Sequence, residues 1–272
     1  MDRSVRTILS LICILGLIVG IVQMRDYQAD HVEADASHAA ALETAMQAEV
    51  PEPLQELPSE AVPQAEVPEM EPVDPNLQLM AAIDLEALRA VNPDVLGWIH
   101  IPDTVISYPL MAGDDNEEYL NRTWDRKSSK FGSIFLEGRS SRDLSDFNTI
   151  IYGHNMRTDD MFGTLLRYAE QSYAENHPAV YIATDEGVRR YDIFAAYEAE
   201  VRSDTYRLIF EDDARKQQGI DLYTESSVIE SGIIPTTQDQ ILTLSTCTGR
   251  GTDDLRFVVQ AVLGEKAERA GS

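Results

Sequence analysis

Beyond the N-terminal thirty residues the chain carries one thiol, Cys247, at the end of ILTLSTC (241–247) and ahead of the polar, glycine-containing TGRGTDD. An apolar run that opens into a loop is where rigid scaffolds present reactive side chains. A thiolate is a strong acyl-transfer nucleophile. It needs a proton-transfer partner, most often histidine, and a donor group for the oxyanion. Five histidines are present. His31 and His38 fall in a polar N-terminal stretch and are set aside. His100 lies between Ile99 and Ile101, so alternation turns it to the solvated face. His177 precedes Pro178 and reads as a loop residue. His154 ends TIIYGH, a second strand terminus, and is the strongest partner. Two arginines follow the cysteine. Arg250 lies in the loop, and Arg256 opens LRFVVQAVL (255–263), where a hairpin would set a guanidinium beside the thiol. Asp253 and Asp254 complete no metal site. The residues alone leave Cys247 open between nucleophile and buried structural cysteine, and His154 between proton carrier and surface histidine.

The elements that would position these groups are short. Eight β-rich runs occupy 97–102, 105–111, 133–138, 149–155, 180–185, 191–200, 241–247 and 255–263. Their length and spacing imply a closed or sandwich-like, mainly β architecture. Helical patterns flank them: one helix over 76–91, one over 160–176, and one within 211–231, ahead of the cysteine strand.

Composition narrows the function classes. The 272 residues carry 22 Lys+Arg against 47 Asp+Glu, a formal net charge of −25, which leaves no basic surface to replace phosphate counterions and excludes nucleic acid as a partner. Two cysteines, Cys13 and Cys247, are too few for a disulfide framework or a multi-thiolate zinc site.

The N-terminus sets the topology. Residues 1–6 carry Arg3 and Arg6. Residues 7–24, TILSLICILGLIVGIVQM, are uncharged, and as a helix they span about 27 Å, close to the hydrocarbon thickness of a bilayer. A cleaved signal peptide would be shorter and closely followed by a small-x-small site, so the run reads as a retained single-pass anchor. Its flanking arginines place residues 1–6 in the cytoplasm and the remainder outside the cell. From 25 to 75 the chain reads as an acidic, proline-rich extracellular linker. Residues 31–90 hold thirteen acidic side chains and one basic, Arg89, and seven prolines fall between Pro51 and Pro75. Extended polyproline II at ~3.1 Å per residue would make it a stiff spacer that lifts the domain off the membrane.

TLSTC (243–247) with a downstream arginine, and YGHNM (152–156) upstream, resemble the sortases. NPDVLGWIHIPDTVISYPLM (92–111), DNEEYLNRTW (115–124), GSIFLE (132–137) and IIYGHNMRTDDMFGTLLRY (150–168) are similar to class B members. The likeness runs from about residue 76 to 264, with 265–272 a C-terminal tail. It implies a closed eight-stranded sortase-type β-barrel with flanking helices, an N-terminal helix and a helical insertion before the cysteine strand, all preceded by one transmembrane helix. It also implies a cysteine transpeptidase. Cys247 would attack the carbonyl of a Thr in a sorting signal, His154 would carry the proton, and Arg256 would stabilise the oxyanion. Tyr152, Ser245, Asn116 and Leu120 match substrate-side positions. The implied partners are surface proteins with Asn-Pro-x-Thr-x or Ser/Pro-Pro-x-Thr-Gly signals, and an amine acceptor on peptidoglycan or a pilin. No cofactor or metal is implied. An exported Cys-His hydrolase that uses water, and a membrane-tethered scaffold without activity, are the competing readings.

Overall fold

Each of the eight β-rich runs forms a strand: β1 (Val95–His100), β2 (Ser107–Met111), β3 (Ile134–Leu136), β4 (Asn148–Tyr152), β5 (Ala179–Thr184), β6 (Gly187–Glu200), β7 (Ile241–Cys247) and β8 (Leu255–Ala267). The computed structural model describes residues 3–46, 74–156, 158–247 and 254–268, the side chains of residues 3–14 and of residue 247 excepted. The strands close into a barrel in the order β1-β2-β3-β4-β7-β8-β6-β5. Closure leaves no edge strand to template aggregation. Most neighbours are antiparallel, but β2 with β3 and β4 with β7 run parallel. The β4–β7 pairing matters most here, because it brings two strands to the same end of the barrel although nearly ninety residues separate them.

Branched and aromatic side chains fill the interior, among them Ile99, Leu110, Ile134, Ile151, Ile182, Leu242, Leu244 and Val259. Burying each such chain contributes roughly 1.5–3 kcal/mol. The helical expectations need correction in detail. The single helix expected over 76–91 is two, α2 (Pro75–Ala81) and α3 (Leu85–Val91). The first closes at Ala82, and Asp84 caps the second, its carboxylate accepting from the Ala87 N–H at 2.9 Å. An acidic side chain that competes for backbone N–H groups favours a cap over a helix interior. The break lets Leu77, Met80, Ile83, Leu85 and Leu88 all bury against Trp98 and Tyr181. The expected helix at 160–176 is a 3-10 segment (Gly163–Ala169) followed by a short α4 (Gln171–Asn176). The insertion before the cysteine strand is α5 (Asp213–Ser226), which packs on the outside of β6 and β8.

The largest departure lies at the N-terminus. The linker expected from residue 25 does not begin there: α1 runs unbroken from Arg3 to Ala45. Residues 29–45 contain seven alanines and no glycine or proline, and alanine is the strongest helix former. One face of this segment is buried on the domain through Ala34, Ser37, Ala41 and Ala45. The Ala45 carbonyl accepts from the Asp84 N–H at 2.9 Å. The end of α1 is thereby fastened to the α2–α3 turn, on the domain that residues 25–75 were expected to hold at a distance. The proline-rich part of that linker lies outside the described residues. The expected span 7–24 falls within α1. No helix among the described residues is long and apolar enough to cross a membrane.

Candidate active site

The two strand ends singled out in the sequence are neighbours. In the parallel β4–β7 ladder Tyr152 is paired with Ser245, and the Gly153 N–H continues the ladder by donating to the Ser245 carbonyl at 3.2 Å. His154 stands two residues beyond Tyr152, and Cys247 two beyond Ser245. A strand repeats its faces every second residue, so one register brings His154 and Cys247 to matching positions at one end of the barrel. On the other flank of β7, the antiparallel ladder pairs Cys247 directly with Arg256. Directly opposed residues have Cβ atoms about 4.5–5.5 Å apart. Arg256 is half-buried, and its Nη1 donates to the Leu255 carbonyl at 3.1 Å. Three residues drawn from positions 154 to 256 therefore fall at one end of three adjacent strands: His154 two residues past β4, Cys247 at the end of β7 and Arg256 at the start of β8.

His154 is half-buried and held from behind. Its Nε2 lies 2.6 Å from the Leu120 carbonyl. A carbonyl can only accept, so Nε2 carries the hydrogen in this contact. Its own carbonyl accepts from the Phe162 N–H at 2.9 Å. Behind the ring sits Gly132, in the left-handed region at φ +60. A Cβ at that position would lie 2.7 Å from both the Tyr119 and Leu120 carbonyls and 3.0 Å from Cδ2 of His154. The glycine is thus required twice, by backbone conformation and by the close approach of the residue 119–120 backbone and the imidazole.

Three of the four expected substrate-side residues, Asn116, Tyr152 and Ser245, are drawn into one polar row. Glu137, buried at the end of β3, accepts from Asn116 Nδ2 at 2.7 Å, from the Tyr152 hydroxyl at 3.1 Å and from Arg139 Nε at 3.0 Å. Burial alone would raise its pKa. The hydrogen bonds from Arg139, Asn116 and Tyr152 outweigh that and hold the carboxyl below its ordinary range. Tyr152 is pushed the opposite way, by burial first and then by the Glu137 charge, so its hydroxyl stays a donor. Asn116 also accepts from the Gly138 N–H at 2.7 Å, which ties the 115–120 loop to β3. The ring of Tyr152 lies nearly parallel to Tyr206, with centroids 6.5 Å apart, and the Tyr206 hydroxyl is 2.8 Å from Ser245 Oγ. Leu120 contributes its backbone carbonyl to His154, as described above.

Sequence reasoning missed Glu137, Tyr206, Gly132 and Asn148. Asn148 is fully buried. Its amide donates to the Thr205 and Arg207 carbonyls at 3.0 and 3.1 Å, and its Oδ1 accepts from Thr243 at 2.7 Å. It therefore fixes the loop that carries Tyr206. A lone acid closing the apolar run SIFLE was a readable signal for Glu137. Nothing periodic marks SDTYRLIF. Arg250 and Asp253 lie outside the described residues. His100 is half-buried on β1, where burial lowers its pKa, and it stands away from the strand ends that carry the site. Among the described residues, one histidine–carboxylate group lies within metal-ligand reach, His31 with Asp35 and Asp160, far along the chain from Asp254. Its short contacts are His31 Nδ1–Asp35 at 2.8 Å and His31 Nε2–Asp160 at 3.5 Å.

Comparison with known proteins agrees with this geometry. The family model described as "Sortase domain" matches residues 99–264. The chain is similar to sortase B of Staphylococcus aureus, with 34% identity over 174 residues covering 64% of this chain and 71% of the relative. It is also similar to sortase B of Listeria monocytogenes, with 33% identity over 186 residues covering 67% and 75%. Among solved structures, a Staphylococcus aureus sortase B–substrate complex superposes with TM-score 0.64 at 34% identity, covering 67% of this chain and 85% of that one. Sortase B of Clostridium perfringens superposes with TM-score 0.63 at 27% identity, covering 67% of this chain and all of that one, 100%.

Proposed function

This chain belongs to the sortase family, in its class B, and from that premise we propose that it is an extracellular, membrane-anchored cysteine transpeptidase with Cys247, His154 and Arg256 as its catalytic residues. The observation that carries the assignment is the paired register: Tyr152 opposite Ser245 and Cys247 opposite Arg256.

The Cys247 thiolate attacks the carbonyl carbon of the signal's Thr, and a C–S bond forms as the carbonyl oxygen takes up negative charge. Arg256 donates to that oxyanion in a geometry a guanidinium suits. The tetrahedral adduct collapses with cleavage of the C–N bond, and the His154 imidazolium gives its proton to the departing amine. The incoming amine attacks the thioacyl carbon, loses a proton to His154, and expels the Cys247 thiolate. One amide replaces another, with no oxidant or reductant. Because Nε2 is committed to the Leu120 carbonyl, Nδ1 is the nitrogen that exchanges the proton. Tyr152, Ser245 and Asn116 line the approach beside Glu137 and Tyr206, with Leu120 at its edge. The substrates are proteins with an Asn-Pro-x-Thr-x or Ser/Pro-Pro-x-Thr-Gly signal, and the acceptor is an amine of peptidoglycan or its precursor.

Residues 7–24 anchor the enzyme with the N-terminus inside. Supporting this, Leu15, Leu17, Ile18, Val19, Ile21, Val22 and Met24 on α1 are all exposed, a continuous apolar surface that the domain leaves uncovered. The test is turnover of both peptide types by the full chain in detergent, with and without oligoglycine, diaminopimelate-containing or lysyl amines, read by product mass. Amide products supply the motif and the acceptor. Cleavage to free acid only, with amine in excess, would favour the hydrolase instead.

A further inference from the structure

The C-terminal half of α1 reaches both segments that hold His154. One is residues 130–132, which end at the glycine behind the imidazole. The other is residues 158–162, which return to bond the histidine's carbonyl through the Phe162 N–H. On the first, Lys130 pairs with Asp30 of α1 at 2.9 Å, and Phe131 is packed by the rings of Tyr27 and His31 with centroids 5.9 and 5.2 Å away. On the second, His31 faces Asp160. His38 stacks on Tyr108 with centroids 4.2 Å apart, and the Tyr108 hydroxyl accepts from the Met161 N–H at 3.2 Å. Met161 in turn bridges to Asn155, the residue after His154. The helix cannot slide along this surface. The Trp124 indole donates to the Ser37 carbonyl at 2.8 Å, Ser37 Oγ donates to Asp125 at 2.9 Å, and His38 Nε2 bonds the Ser107 carbonyl at 2.8 Å.

Residues 30, 31, 34, 37, 38, 41 and 45 recur at helical spacing, so these contacts come from one face of one helix. We infer that Tyr27–Ala45 is a positioning strap for His154, acting through His31 on residues 130–132 and 160 and through His38 on Tyr108 and Met161. His31 and His38 touch no reacting atom. They keep the backbone on both sides of the imidazole in one place. An anchor helix that continues into the active-site support also fixes the site's orientation relative to the segment that precedes it. The inference rests on His154 being the proton carrier.

It is tested on the full chain in detergent, with the sorting peptide and amine that the wild type turns over. The variants are His31→Ala/His38→Ala, His38→Ala, His38→Phe and Tyr108→Phe, with active enzyme counted by stoichiometric labelling of the Cys247 thiol. The double variant is expected to lose about ten- to a hundredfold in kcat with KM within twofold, the cost of a small misplacement of a catalytic group. His38→Phe keeps the ring stack and is expected to recover most of the loss relative to His38→Ala. Tyr108→Phe, which keeps the stack but removes the acceptor for Met161, loses kcat without loss of folding. If the double variant is too unstable to label, Tyr108→Phe decides alone. A folded double variant or Tyr108→Phe with wild-type kcat overturns the strap. A wild type that turns over no peptide overturns the transpeptidase reading on which the strap depends.

Discussion

Gly132→Ala should disable the enzyme while a matched glycine substitution elsewhere does not. At φ +60 an added Cβ costs about 1–2 kcal/mol in backbone strain alone. The new methyl would also sit 2.7 Å from two main-chain carbonyls, where real Cβ contacts do not occur, so the backbone of residues 119–120 or of 132 must shift. Forced overpacking of this kind costs about 1–3 kcal/mol, for a total of roughly 2–5 kcal/mol. That is a large share of the ~5–15 kcal/mol that holds a domain together. The direction of the shift matters more than its cost. One displaced atom is the Leu120 oxygen that holds His154 Nε2 at 2.6 Å, and the imidazole Cδ2 is itself 3.0 Å from the new carbon. A sub-ångström to 1 Å displacement of a proton carrier lowers kcat by up to about 10²-fold. The control is Gly232→Ala, at φ +74 with nothing within 4 Å of the added carbon. It should pay only the conformational cost, about 1–2 kcal/mol, and keep its kcat. The assay pairs thermal unfolding with transpeptidation per labelled thiol. Gly132→Ala with kcat within twofold of wild type in the folded state would refute the reasoning, as would equal losses in the two variants.

Three further outcomes follow from the polar row. Asn148→Ala leaves the Thr205 and Arg207 carbonyls and Thr243 short of a buried partner, and should cost about 2–4 kcal/mol by denaturant unfolding. Tyr206→Phe removes the hydroxyl bonded to Ser245 while keeping the ring against Tyr152. It should raise KM for the peptide several-fold with stability changed by about 0.5–1.5 kcal/mol or less. Glu137 has its pKa held below the unfolded value. Its contribution is therefore present above the ordinary carboxylate range and is lost as pH falls through its depressed native value. Glu137→Gln should be less stable than wild type at neutral pH, with the gap closing below about pH 4, as read by melting temperature against pH. A gap that widens on acidification would reverse the assigned direction.

The strands were legible because alternation over four to nine residues is a local signal, and all eight expected runs became strands. The placement of Cys247, His154 and Arg256 at strand ends was legible for a related reason: each ends or begins such a run, so topology could only bring them to a barrel end. The pairing that joins them was not readable, since a parallel β4–β7 ladder is a non-local contact without a local mark. The helices fared less well. Asp84 is a capping residue inside an otherwise continuous apolar pattern, and the cap outcompeted the longer helix. The α1 extension was hidden by its own chemistry. Its buried face is alanine and serine, which carry little hydropathy, and its histidines read in sequence as linker residues although they pack against Phe131 and Tyr108. Gly132 and Asn148 could not be singled out, because their roles arise only where backbone from distant segments converges.

The central claim, that Cys247 becomes acylated by a sorting signal and passes the acyl group to an amine, is tested most directly by intact mass spectrometry of the full chain. The enzyme would be mixed with each sorting peptide and quenched in acid before and after addition of amine. The account predicts a mass increase equal to the peptide fragment ending in Thr. That adduct should be localised to Cys247, discharged by amine to a new amide, and absent in Cys247→Ala. In His154→Ala it should form at least a hundredfold more slowly, consistent with loss of a general acid–base. An adduct on another residue, or amide product from Cys247→Ala at the wild-type rate, would contradict it.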